Sequence, residues 1–223
     1  MTKELQVISK PRVIVISGYV GSGKSTVAAK LSEILGNVPM LIFDHYEKFI
    51  EWPQDMRQWM QDGADPSRIQ VPKMKDDLLS LLDGRSIKSP LGDKIVSSAN
   101  YIILEEPSGR ERQEIREYID LVVYVDVPQD VCVTRVVQRV LDMVVWEAKG
   151  TFAGESKEDL VRQLDAVAMW INHYQKTRAM YMSGSSAVKQ NADILVDGMK
   201  PVNEIASEIL DTIREKFGDP INA

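Results

Sequence analysis

The chain has 223 residues, 44% of them hydrophobic and 27% charged, with a formal charge of −6. That length suits one domain with a substantial core, and the acidic balance excludes a general nucleic-acid binder, which needs a basic surplus to displace counterions. Cys132 is the only cysteine, so neither an internal disulfide nor a cysteine metal cluster is expected; with no signal-like start and no apolar run of ~18 residues, neither secretion nor a membrane span is expected, and the expected compartment is the cytoplasm.

The first element is Val13-Ile14-Val15-Ile16, an unbroken β-branched run that predicts a strand buried on both faces. It leads into Gly18-Tyr19-Val20-Gly21-Ser22-Gly23-Lys24-Ser25-Thr26, which fits G-x-x-x-x-G-K-[ST]. The glycines let successive backbone N–H groups curl around a phosphate. The helix starting here adds its positive end, Lys24 reaches the β- and γ-phosphates, and Ser25 offers a hydroxyl to Mg²⁺. Val27, Leu31, Ile34 and Leu35 then recur at helical spacing up to Gly36. The expectation is a nucleoside triphosphate site, with ATP and Mg²⁺ as cofactors.

Four more buried strands are expected: 40–43 ending at Asp44, 101–104 ending at Glu105, 121–125 ending at Asp126, and 193–196 ending at Asp197. Helical pattern separates them, so the sheet should be mainly parallel, with its ligand at the carboxyl ends of the strands. Between them, helices are expected over 73–82, 110–118, 129–145 (entered through Pro128), 157–182 and from Pro201 to Phe217. Leu160, Leu164, Val167, Met169 and Ile171 are the apolar marks of the fourth; Val202, Ile205, Ile209, Ile213 and Phe217 line the last. Gly150–Ser156 reads as the most loop-like part of the second half, and Ser183–Ser186 as a second flexible spot. The fold expected is α/β, a P-loop NTPase fold with a five-stranded mainly parallel sheet flanked by helices, one domain over 1–223 with a helical lid at about 139–156.

No Asn-Lys-x-Asp or Leu-Ser-Gly-Gly stretch occurs, which leaves a small-molecule kinase as the favoured phosphate chemistry. Such an enzyme needs a carboxylate to take the hydroxyl proton, and Asp44 is the candidate, a helix cap being its structural alternative. It needs an acid near Mg²⁺. Glu105, directly at a strand end, is preferred to Glu106, which alternation sends the other way. It also needs cations over the transferring phosphoryl group, and Arg135 and Arg139, four apart on one helix face, fill that role or pair as surface charges. The stretch from Trp146 to Gly154 reads as a lid. His45, Tyr46, Trp52 and Trp59 follow Asp44 and either line an acceptor pocket or fill the core.

These residues resemble the uridine kinase and phosphoribulokinase-like family of P-loop kinases, in order from Val13 to about Val196. The resemblance rests on Gly18–Thr26, on Phe43-Asp44-His45-Tyr46, on Asp76-Asp77-Leu78-Leu79 closing at Gly84 with Pro90 beyond, on Ile103-Leu104-Glu105, on Val125-Asp126 with Arg135 and Arg139, and on Ala192-Asp193-Ile194. It implies ATP:alcohol phosphoryl transfer on a five-stranded parallel sheet, with Asp44 as base and both arginines in the lid. The chain departs at the hairpin after the helix, Pro90-Leu91-Gly92-Asp93-Lys94, which lacks the family's tyrosine and histidine. It departs again at Glu105-Glu106-Pro107, where the family has Glu-Gly, and in a lid without Glu-Arg-Gly-Arg. The acceptor is left as a small hydroxyl-bearing metabolite, a nucleoside among them. Alternatives are a kinase of a sugar acid or vitamin precursor, or a non-catalytic nucleotide-binding regulator. A homo-oligomer stays open.

Overall fold

The computed structural model of the chain describes residues 10–149 and 156–218. Among the described residues seven strands and six α-helices follow in order: β1 (Arg12–Gly18), α1 (Lys24–Ile34), β2 (Met40–Ile42), α2 (Met56–Gln61), α3 (Pro72–Leu82), β3 (Ile87–Lys88), β4 (Ile95–Val96), β5 (Tyr101–Glu105), β6 (Leu121–Asp126), α4 (Gln129–Lys149), α5 (Lys157–Asn191), β7 (Ile194–Asp197) and α6 (Val202–Phe217). Five strands form one sheet in the order β2-β5-β1-β6-β7, and every pairing in it is parallel. This is the α/β, P-loop NTPase-like fold. β3 and β4 form a separate antiparallel hairpin, with Pro90 in its turn.

β1 runs down the middle because its side chains are apolar on both faces. Ile14 and Ile16 pack with Val27 and Leu31 of α1 and with Ile205, Ile209 and Ile213 of α6. Val13 and Val15 face the other way, against Met74, Leu78 and Leu81 of α3 and Val188 near the end of α5. The alternation of a strand thus sorts one sequence run into two cores. Since β5 lies on one side of β1 and β6 on the other, the chain changes direction at the tip of β1, and a crevice opens there.

In the sheet β5 lies between β1 and β2. Several local expectations need correction. β2 stops at Ile42, so Phe43 and Asp44 begin a 3₁₀ turn over Phe43–Phe49. In place of a helix over 110–118 there are two short 3₁₀ turns, Gly109–Glu111 and Arg116–Tyr118. Ser183–Ser186 is helical, because α5 runs through it to Asn191. There Ser185 meets the Tyr124 hydroxyl, and Lys189 pairs with Asp126 at 2.6 Å, so packing on β6 outweighs weak local propensity. The apolar marks of that helix are not core: Leu164 and Met169 are 68% and 71% exposed. The lid expected at 139–156 falls partly outside the described residues.

Candidate functional site

The loop between β1 and α1 is built from tight backbone turns. Gly21 and Gly23 sit at φ +82° and +89°, which L side chains rarely adopt. A Cβ on Gly21 would lie 2.3 Å from the Cys132 carbonyl oxygen, so the loop is pressed against α4. Gly23 is the N-cap of α1, with no side-chain cap and no acid in the first turn. The first-turn amides therefore have neither an intrahelical acceptor nor a capping oxygen, and they point into the crevice as an anion site. A Cβ on Gly23 would meet nothing within 4 Å, so the space above these amides is open. Ser25 and Thr26 are exposed, and Ser22 is buried with its hydroxyl unpartnered among the described atoms.

Lys24 reaches across the loop and places Nζ 3.2 Å from Glu105 Oε1. Glu105 ends β5 in register with Ile16 of β1 and Ile42 of β2, so it stands at the floor of the crevice, 1% exposed. Its second oxygen has no hydrogen-bond partner among the described atoms. Burial raises its pKa; Lys24 pulls it back, and the charges of Asp44 and Glu106 add to the rise. Asp44 is exposed in the 3₁₀ turn beyond β2. Its negative charge is felt at Glu105 and, across the crevice, at Tyr181 of α5. Glu106 points away from Lys24 and pairs with Arg112.

Among the acceptor candidates, Tyr46 is a core residue. It is wholly buried and donates to Asp77 at 3.0 Å, so it lines no open pocket. Trp59 is likewise wholly buried, its ring nitrogen donating to the Asp65 carbonyl. Trp52 is 45% exposed and His45 half-buried.

The arginines separate. Arg135 donates long hydrogen bonds to the carbonyls of Ser22 (3.4 Å) and Gly198 (3.5 Å), which ties α4 to the outer rim of the loop and to the turn after β7. Arg139, one turn on, is exposed. The stretch from Trp146 to Gly154 lies outside the residues whose side chains are described.

One wall went unread in the sequence. Tyr19, the second residue of the loop, shares a 2.6 Å hydroxyl–hydroxyl hydrogen bond with Tyr174 of α5, and its ring meets Tyr181 edge-on at 6.3 Å. Trp170 stacks on Tyr174, and Tyr174 on Tyr181. The spacing 170, 174, 181 puts all three on one helix face, and that was the available signal. A hollow of about 670 Å³ opens nearby at the ends of β6 and β7, bordered by Tyr19, Gln129, Ser185, Lys189 and Met199; neither Asp44 nor Glu105 borders it. The acids Asp126 and Asp197 border the hollow as well, paired there with Lys189 and with the Met199 amide.

Among the described residues no group of three or more His, Cys, Asp or Glu forms a metal cage. Mg²⁺ asks for less: one or two hard oxygens plus phosphate and water. The exposed Ser25 hydroxyl and the unpartnered Glu105 oxygen fit that demand, with Lys24 balancing the charge.

The model of the family described as AAA domain matches residues 14–149. The chain is 24% identical to the uridine kinase of Halalkalibacterium halodurans over 199 residues, 84% of this chain and 86% of that protein. It is 28% identical to the uridine kinase of Lactobacillus helveticus over 222 residues, 92% and 94% of the two. Among solved structures it is similar to a gluconokinase from Sinorhizobium meliloti, with 17% identity and a TM-score of 0.45 over 92% of this chain and 93% of that one.

Proposed function

This chain belongs to the AAA domain family of P-loop proteins, and from that premise we propose that it transfers the γ-phosphoryl group of Mg-ATP to a hydroxyl of a small metabolite. The observation that carries the reading is the meeting of three charges at an uncapped helix start: Lys24 3.2 Å from Glu105, with Asp44 close enough to act on the same carboxyl. A purely structural loop has no use for a buried carboxylate oxygen left unpartnered beside open amides.

In this reading the loop amides and Lys24 bind the β- and γ-phosphates. Ser25 and Glu105 hold Mg²⁺, which when bound neutralises charge on the phosphate oxygens. Asp44 accepts the proton of the acceptor hydroxyl as its oxygen attacks the γ-phosphorus; the bond from that phosphorus to the bridging oxygen breaks, and ADP leaves. Arg135 and Arg139, on the helix leading to the lid, steady the phosphoryl group. No helix among the described residues is long and apolar enough to cross a membrane.

The similarity to uridine kinases makes nucleosides the first acceptors to try, followed by sugar acids and vitamin precursors. The test is ATP consumption with pooled acceptors of these classes. Acceptor-dependent turnover is expected, with Asp44→Asn keeping ATP affinity nearly intact and cutting turnover by ~10² or more. Turnover that survives Asp44→Asn removes Asp44 as the base, and ATP binding without acceptor-dependent turnover leaves a nucleotide-binding regulator.

A further inference from the structure

Glu106 and Arg112 take no part in the chemistry above, yet they are 0% and 1% exposed. Arg112 Nε donates to Glu106 Oε2 at 2.9 Å and Nη2 donates to Oε1 at 3.0 Å, a two-pronged pair. Nη1 donates to the Ile69 carbonyl at 2.7 Å, and the guanidinium lies over the Phe43 ring, 4.9 Å from its centre. Glu106 Oε1 also accepts the Ser108 amide at 2.8 Å. One side chain thus touches the end of β5, the loop before α3 and the residue after β2. Glu106 directly follows Glu105, and Phe43 directly precedes Asp44.

A buried ion pair is a weak source of stability, since desolvation consumes most of the Coulomb attraction. A forked guanidinium supplies direction instead, because its donors and its flat face fix several neighbours at set angles. We propose that Arg112 is the positioning residue of this site: by gripping Glu106 and Phe43 together it sets the spacing and aim of Glu105 and Asp44 across the crevice. This rests on the phosphoryl-transfer reading, which makes those two acids the ones whose aim matters. It also gives a chemical reason for a second glutamate after Glu105: Glu106 is the handle by which the strand end is held.

The test is calorimetry with a non-hydrolysable ATP analogue, with Mg²⁺ and with EDTA, on the parent chain, Arg112→Lys and the double variant Glu106→Leu/Arg112→Met, with melting curves to show that each is folded. The parent should bind more tightly with Mg²⁺. The double variant leaves no charge stranded; it should keep the metal-free affinity and lose ~10-fold or more of the Mg²⁺ enhancement, the size seen when residues supporting metal ligands are removed. Arg112→Lys, with the charge but not the fork, should fall between, and it carries the test alone if the double variant does not fold. A folded variant with the parent's full Mg²⁺ enhancement overturns the proposal. A parent chain with no Mg²⁺ enhancement overturns the Mg-ATP reading itself, and the two failures are told apart by which protein shows them.

Discussion

The sheet and the first half of α5, part of the α4–α5 arm, are held to different degrees by burial. Along β1, β5 and β6 almost every side chain is buried, sorted to the two faces by alternation. The first half of α5 leaves Leu160, Leu164, Met169 and Ile171 exposed. Farther along, α5 buries Val188 against the sheet and adds a few polar points: Tyr174 on Tyr19, Ser185 on Tyr124 and Lys189 on Asp126. Burial is non-directional and cumulative, so the floor is stiff whatever one contact does. Hydrogen bonds are few and directional, so the arm's seating against the loop depends on particular residues.

The largest expected effect tests the floor. Ile103→Ala should cost about 2–5 kcal/mol of folding stability, while Leu164→Ala on the arm should stay within about 0.5 kcal/mol; denaturant titration of both decides, and equal losses would end the contrast. Next comes the point where floor and arm touch. Gly21→Ala puts a Cβ against the Cys132 carbonyl in a left-handed backbone, so loop and α4 must part. A cost of about 1–3 kcal/mol is expected, with weaker binding of an ATP analogue in the same calorimeter.

A smaller effect is confined to a pH window. Glu105 has a folded-state pKa above its ordinary value of 4.5, chiefly from burial, so the folded chain holds that proton more tightly than the unfolded one. Its contribution therefore favours folding at low pH and is lost as pH rises from the ordinary value through the raised one. Melting curves across that window should show the parent losing stability relative to Glu105→Gln as pH increases; the opposite slope would mean Lys24 outweighs burial. The smallest effect sits in the arm: Tyr174→Phe removes one hydroxyl from the 2.6 Å contact with Tyr19 and should cost about 0.5–1.5 kcal/mol by urea titration.

The five sheet strands, the phosphate loop and α1, α3 and α6 were legible because each is written in consecutive residues: a β-branched run, glycines before Lys24, or a repeat such as Ile205, Ile209, Ile213. The opposite aims of Glu105 and Glu106 were legible too, since alternation in an extended chain is a local property. Nothing local distinguishes Tyr46 in the core from Trp52 on the surface. No short window shows that β5 slips between β1 and β2, or that Ser183–Ser186 stays helical over β6. Nor does any window pair Arg112 with Phe43, or Tyr19 with Tyr174, 155 residues away. The sequence alone determined that this chain builds a phosphate cradle at the tip of a buried strand, because backbone conformation and strand burial follow from neighbouring residues. Which arginine pairs with Glu106, which aromatic residues fill the core and which helix meets Tyr19 were decided only by tertiary packing, because those partners are brought together by burial of the whole sheet and not by spacing along the chain.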